Sequence, residues 1–238
     1  MHHVELAPAK LTLSLRVTGV RADGYHLIDA EMVTVDFFDT LTFADGDGLE
    51  IRGIPIPDGE NLVTQALRAV GRTARVTLDK QIPAGAGLGG GSADAAAVLR
   101  WAGVDDLDLA GRLGGDVPFC VVGGRARVTG IGEAVAEMSY VQRSFTLLTP
   151  PLHVSTPAVY KEWDEMGGPH AAGPNDLEPA ALRVCPELSS WRDQLGDATG
   201  VTPLLAGSGA TWFVEGAFRD AGRVVTTLPA SSPGNPTR

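Results

Sequence analysis

Residues 79–99 read DKQIPAGAGLGGGSADAAAVL. Five glycines, Gly85, Gly87, Gly89, Gly90 and Gly91, stand directly before an alanine-rich stretch. Ahead of them "ARVTLDKQIP" reads as a strand ending at Pro83, and behind them "SADAAAVLRWAG" reads as a helix closed by Gly103. Glycine clusters often serve only as flexible connections, or let a helix pack closely on a sheet. Neither use explains so dense a run at the start of a strong helix. Backbone N–H groups at a helix N-terminus, backed by the helix dipole, bind phosphate. Glycines let the backbone approach the anion and take positive φ. The stretch therefore predicts a phosphate-binding loop.

Three common phosphate folds fail on inspection. Gly85, Gly87 and Gly90 satisfy G-x-G-x-x-G, with Asp105 twenty residues after Gly85. A dinucleotide fold, however, carries its ribose-binding acid at the end of a strand, and none lies between this helix and Asp105. No Lys follows the glycines, as a P-loop demands. The H-R-D and D-F-G motifs of protein kinases are missing.

Composition bounds the remaining classes. The chain has 238 residues, 44% hydrophobic and 20% charged, enough for a buried core. A net charge of -10 argues against nucleic acid or an anionic membrane as partner, but leaves room for a small anionic ligand held by local dipoles. Cys120 and Cys185 stand far apart among apolar residues, which suggests two buried free thiols. The N-terminus "MHHVELAPAKL" lacks a signal-peptide core, and no apolar run approaches a membrane span. These features predict a protein of a reducing compartment, most simply the cytosol.

Along the chain, "KLTLSLRVTG" alternates. Leu11, Leu13, Leu15 and Val17 face one way and Lys10, Thr12, Ser14 and Arg16 the other, as in a half-buried strand. "GVRADGYH" is a turn with Asp23-Gly24 at its tip, "AEMVTVDFFDTLTF" a second strand, and "DGDGLEIRG" a turn and strand. "ENLVTQALRAVGR" presents Leu62, Ala66, Leu67 and Val70 on one helical face. "DLAGRLGGDVPF" is a short helix, a glycine turn and a segment started by Pro118, and "GGRARVTGIGEAV" is strand and turn. "SFTLLTPP" is a strand that opens a second lobe, and residues 156–195 form helical pieces. "VTPLLAGSGATWFVEG" is strand, glycine turn, strand, and "GAFRDAGRVVTTLP" a short helix and a last strand. The mixture predicts an α+β fold of two lobes, residues 1–143 and 144–228, with 229–238 a disordered tail.

The glycine loop resembles that of the GHMP kinases, small-molecule kinases acting on galactose, homoserine, mevalonate and phosphomevalonate. "PAKLTLSLRVTGVRADGYHLI", "GGDVPF", "STPAVY", Asn175-Asp176 and "AGSGATWF" follow in the order of one branch, the 4-diphosphocytidyl-2-C-methyl-D-erythritol kinases. The resemblance implies a two-lobed GHMP fold with ATP and substrate in the cleft between an ATP-binding lobe and a substrate lobe. It implies transfer of the γ-phosphoryl of ATP, with Mg²⁺, to the C2 hydroxyl of the cytidylylated methylerythritol, a step of the non-mevalonate isoprenoid route. Another GHMP small-molecule kinase, or a weak nucleotide-binding relative, is the alternative.

By resemblance, Asp116 is the catalytic carboxylate, which takes or orients the proton of the acceptor hydroxyl. Lys10 is its cationic partner, and Thr12 stands where the family more often has Asn. Pro83, Ala84, Gly85, Ala86, Gly87, Leu88, Gly89, Gly90, Gly91, Ser92 and Ala93 wrap the ATP phosphates, with Ser92 read as the helix cap in preference to a Mg²⁺ contact. Tyr25, His26, Thr156 and Tyr160 bind the cytidine, with Tyr25 and Tyr160 as the two aromatics of a clamp. Asn61 and Lys80 are weaker candidates for the adenosine side, and the Gly207–Gly209 turn faces the cleft. His153 and His170 are read as surface residues.

Overall fold

The computed structural model describes residues 2–56, 59 and 61–230. Two long antiparallel strands, β1 (His3–Val20) and β2 (His26–Ala44), form its backbone, joined by a turn in which Gly24 takes φ +86°. The other edge of β2 is shared. β4 (Arg75–Lys80) pairs with its Thr40–Ala44 end and β5 (Arg125–Gly130) with its Ile28–Val33 end. β3 (Gly48–Gly53) lies parallel to β4, and β6 (Ala134–Glu137) closes the far side. A second sheet runs in the order β10 (Arg223–Thr226), β7 (Ser144–Leu148), β9 (Trp212–Glu215), β8 (Leu204–Leu205).

The helices follow from sequence periods and caps. In α1 (Leu62–Ala69), Asn61 caps the start by accepting from Val63 N, and Val63 and Ala66 are buried. The predicted stretch began at Glu60, which lies outside the described residues. α2 (Gly90–Ala102) packs its alanines against β1, where small side chains bring helix and sheet close. α3 (Leu107–Leu113) and α4 (Val117–Val122) follow, α4 with Pro118 in its first turn. α5 (Thr156–Glu165), α6 (Glu178–Val184) and α7 (Leu188–Thr199) accompany the second sheet.

Several expectations are corrected. β1 is not half-buried: Lys10 and Thr12 are enclosed, because the glycine loop, the Gly207 turn and Asp116 cover the face that the alternation left to solvent. The strand also bulges between Pro8 and Lys10 and again between Thr12 and Ser14, so Leu11 joins a core layer between the sheets while Leu15 and Val17 join the helical one. That inter-sheet layer contains Leu11, Val35, Ile82, Leu88, Phe145 and Phe213. No helix forms over "GAFRDAG"; a turn leads straight into β10. Cys120 is buried, with burial pushing its thiol up to about 12, but Cys185 is only partly covered. Of the expected tail, 231–238 lie outside the described residues, and Ala230 pairs with Gly123 of the first sheet's side.

Candidate active site

The predicted phosphate loop connects β4 to α2, and Gly89 caps the helix with φ +66°. Ser92 therefore lies inside the first turn rather than at the cap, three positions past it. The loop is stitched to its neighbours by backbone bonds. Lys10 N donates to Leu88 O (3.0 Å), Ala210 N to Gly85 O (3.1 Å) and Thr211 N to Ala86 O (3.1 Å). Glycine is required by contact as well as by φ. A Cβ on Gly87 would stand 2.1 Å from Ala206 O, and one on Gly89 2.7 Å from Lys10 Cγ.

Lys10 reaches beneath this loop with only 5% of its surface exposed. Its Nζ lies 3.2 Å from Asp116 Oδ2 and donates to Thr12 Oγ1 at 3.1 Å. Asp116 directly precedes α4, after the Gly114-Gly115 turn. Residues 10 and 116 thus meet because β1 and α4 both pack on α2. A lysine this enclosed requires a paired carboxylate. Thr12 supplies the second acceptor.

The second glycine turn closes the other side. A Cβ on Gly207 would lie 3.5 Å from Lys10 Nζ. Asn175 Nδ2 donates to Leu205 O (2.9 Å) and Gly207 O (2.7 Å), while Thr156 Oγ1 and Ser208 Oγ share a hydrogen bond of 2.7 Å. Asn175 was matched in sequence without a role; here it holds the turn in place. Its neighbour Asp176 is fully buried and ties the same segment to β1, accepting from Arg16 Nη1 (2.7 Å) and Val17 N (3.0 Å).

The aromatic group differs from the expected clamp. The ring that Tyr160 meets is His26, with centroids 4.5 Å apart, and Trp163 meets His26 edge-on at 5.7 Å. His26 Nε2 pairs with Asp164 Oδ1 at 2.8 Å. Burial raises the Tyr160 hydroxyl, and the charge on Asp116 adds to the rise. Tyr25 is 59% exposed at its turn. Asp164 and Trp163 were missed, since nothing in the helix α5 pattern marks which residues face residue 26.

Other assignments change. Asn61 is spent on capping α1, and Lys80 is buried in an ion cluster with Asp39 and Asp94. An acid inside the otherwise uncharged stretch "FFDTLTF" was the available signal for Asp39. His153 is exposed, yet its ring stands against Gly85. His170 is exposed and hydrogen-bonds Asp176 Oδ2 at 2.9 Å.

Known proteins share this arrangement over most of the chain. Residues 61–124, which include the loop and Asp116, match the description of the GHMP kinases N terminal domain. The 4-diphosphocytidyl-2-C-methyl-D-erythritol kinase of Paracoccus denitrificans is 38% identical over 90% of this chain and 86% of its own length. The enzyme of that name from Cereibacter sphaeroides is 35% identical over 96% and 95%. A crystal structure of 4-(cytidine 5'-diphospho)-2C-methyl-D-erythritol kinase, 33% identical, superposes with a TM-score of 0.77 over 96% of this chain and all of that one. With its loop, its Lys10–Asp116 pair and this likeness along nearly its whole length, the chain belongs to the 4-diphosphocytidyl-2-C-methyl-D-erythritol kinase family of the GHMP kinases.

Proposed function

We propose that this chain transfers the γ-phosphoryl group of ATP to the C2 hydroxyl of 4-diphosphocytidyl-2-C-methyl-D-erythritol. The observation that carries the reading is the Lys10–Asp116 pair, 3.2 Å apart and directly under the glycine loop. Asp116 keeps about a third of its side chain open, enough to meet an acceptor hydroxyl, while Lys10 is enclosed. In this reading Asp116 takes or orients the hydroxyl proton. Lys10 places its positive charge beside Asp116 and offsets charge developing on the reacting oxygen. The N–H groups of residues 85–92 and the α2 dipole receive the phosphates, which fixes the γ-phosphoryl for in-line attack.

Mg²⁺ belongs to the same proposal. Among the described residues no group of three His, Cys, Asp or Glu side chains forms a metal cage. Mg²⁺ needs none, since it keeps waters and binds through substrate phosphates with one or two carboxylates. Asp116, part-exposed at the cleft, is the carboxylate available to it. When bound, the ion would neutralise charge on the β- and γ-phosphates.

We assign residues 1–143 to ATP and catalysis and residues 144–228 to completing the substrate side. Thr156 and Tyr160 from that half, with His26 of β2 against the Tyr160 ring, suit a planar base with polar edges. The two unpaired cysteines support a cytosolic setting. The deciding experiment incubates the chain with Mg²⁺, ATP and the cytidylylated methylerythritol and follows products by mass spectrometry. Gain of one phosphoryl group by that substrate, and not by homoserine or mevalonate, is expected. Phosphorylation of either of those instead would overturn the substrate assignment.

A further inference from the structure

A charge cluster that the transfer chemistry does not use fastens the glycine loop from below. Lys80 ends β4 at the entry to the loop, and Asp94 stands early in α2 at its exit. Lys80 Nζ donates to Asp39 Oδ2 and to Asp94 Oδ2, the latter at 2.7 Å. Asp39 Oδ1 accepts from Gln81 N (2.6 Å) and Ile82 N (2.8 Å), the first residues of the loop. All three side chains are buried. Gly90 lies over the ammonium, where a Cβ would stand 3.0 Å from Lys80 Nζ.

The charges do not balance. Two carboxylates face one ammonium, and Asp94 Oδ1 is buried with no hydrogen-bond partner among the described residues. With all three groups ionised, one negative charge remains uncompensated beneath a loop that receives a polyanion. A buried unpaired charge is costly, and carboxylates sharing one cation divide their titration. Asp39 accepts from three donors, whereas Asp94 has Lys80 alone. Burial pushes the Asp94 carboxyl up to about 7; Lys80 pulls against the rise and the Asp39 charge adds to it. Around α2 the other charged or titratable groups include Lys10 from β1 beyond Gly89, Asp116 and Cys120 at α4, Arg100 further along the helix with Glu5 of β1 as its partner, and Arg72 over the Trp101 ring. The ionisable side chains of α1 and α3, Arg68, Asp108 and Arg112, are exposed.

We propose that Asp94 is a positioning residue for ATP that takes up a proton when the nucleotide binds, making the clasp under the loop neutral. The inference rests on the phosphate-loop reading above. An anion over the loop disfavours ionised Asp94, and by linkage a protonated Asp94 favours the anion.

The test is calorimetric titration of the full chain with Mg-ATP near pH 7.5, in buffers of different ionisation enthalpy. Such titrations count the protons bound with the ligand. Wild type is expected to take up on the order of half a proton more than Asp94→Asn, as a rise of about one pKa unit on binding would give. Absence of ATP binding by wild type would overturn the phosphate-loop reading itself. Binding with equal proton counts in wild type and Asp94→Asn would overturn this inference alone. Should the variant fail to fold, infrared difference spectra of wild type with ¹³C-labelled aspartate decide. A protonated-carboxyl band gained on adding Mg-ATP is expected, and its absence refutes the proposal.

Discussion

Replacing Gly89 by alanine tests whether the loop glycines serve the catalytic lysine as well as the phosphates. The new Cβ would stand 2.7 Å from Lys10 Cγ and 3.1 Å from Lys10 Cε. Carbon atoms in contact prefer about 3.5–4.0 Å, so lysine and loop must separate by roughly 1 Å. Lys10 has nowhere free to go, being enclosed between the glycine loop and the Gly207 turn. Its 3.2 Å contact with Asp116 would then stretch toward the limit of an ion pair. A misplacement of about 1 Å in such a pair costs on the order of 10²-fold in turnover, or roughly 2.7 kcal/mol of barrier. The left-handed φ of +66° adds about 1–2 kcal/mol of strain. In a chain of this size that lowers the melting temperature by roughly 2–8 °C. Gly103→Ala is the control. It sits at the other end of α2 with φ +70°, and a Cβ there meets nothing within 4 Å. Both variants should melt earlier, Gly89→Ala by the larger amount because of its clash with Lys10, and only Gly89→Ala should lose turnover. Steady-state kinetics and thermal melts on the same samples check this. A Gly89→Ala enzyme turning over like Gly103→Ala would refute the argument that Gly89 makes room for Lys10.

Asp116→Asn should retain the fold and ATP binding while turnover falls about 10²–10⁴-fold, read by steady-state kinetics beside calorimetric ATP titration. Tyr160→Ala should raise the Michaelis constant for the cytidylylated substrate roughly 5- to 150-fold and leave that for ATP nearly unchanged. Equal losses for both substrates with a lowered melting temperature would instead make Tyr160 a packing residue. Burial alone would raise the Asp176 carboxyl, but hydrogen bonds from His170, Ala171 N, Arg16 and Val17 N outweigh it and hold it below its ordinary value. Because the folded value is the lower one, the stabilisation is present above about pH 4 and disappears as pH falls through the folded value. Asp176→Asn should therefore flatten the acid limb of a stability–pH curve measured by denaturant titration.

The elements that carry local signals were legible directly. A strand, five glycines and an alanine-rich helix announce the phosphate loop, because helix caps, φ > 0 turns and close backbone approach are chain-local requirements. Most other strands and helices follow from period and punctuation in the same way. "GAFRDAG" failed because its weak helical preference yields to the turn that leads into β10. Ser92 was read as a cap by residue type, whereas the helix begins two residues earlier, where glycine alone fits against Ile82 and Lys80.

What the sequence determined by itself was which backbone receives phosphate and which motifs follow it, and so the family. Tertiary structure alone decided which side chains stand around that backbone. Alternation left Lys10 facing solvent; the glycine loop and the Gly207 turn cover it, and the start of α4 gives it Asp116 as partner, 106 positions along the chain. Tyr160 met His26 rather than Tyr25, because α5 docks against the first residue of β2 and leaves the turn before it exposed. Lys80 turned inward to two aspartates from different elements. Periodicity reports only whether a face is covered by something apolar. A buried charge is dictated by the partner that compensates it, and that partner arrives only when distant strands and helices pack together.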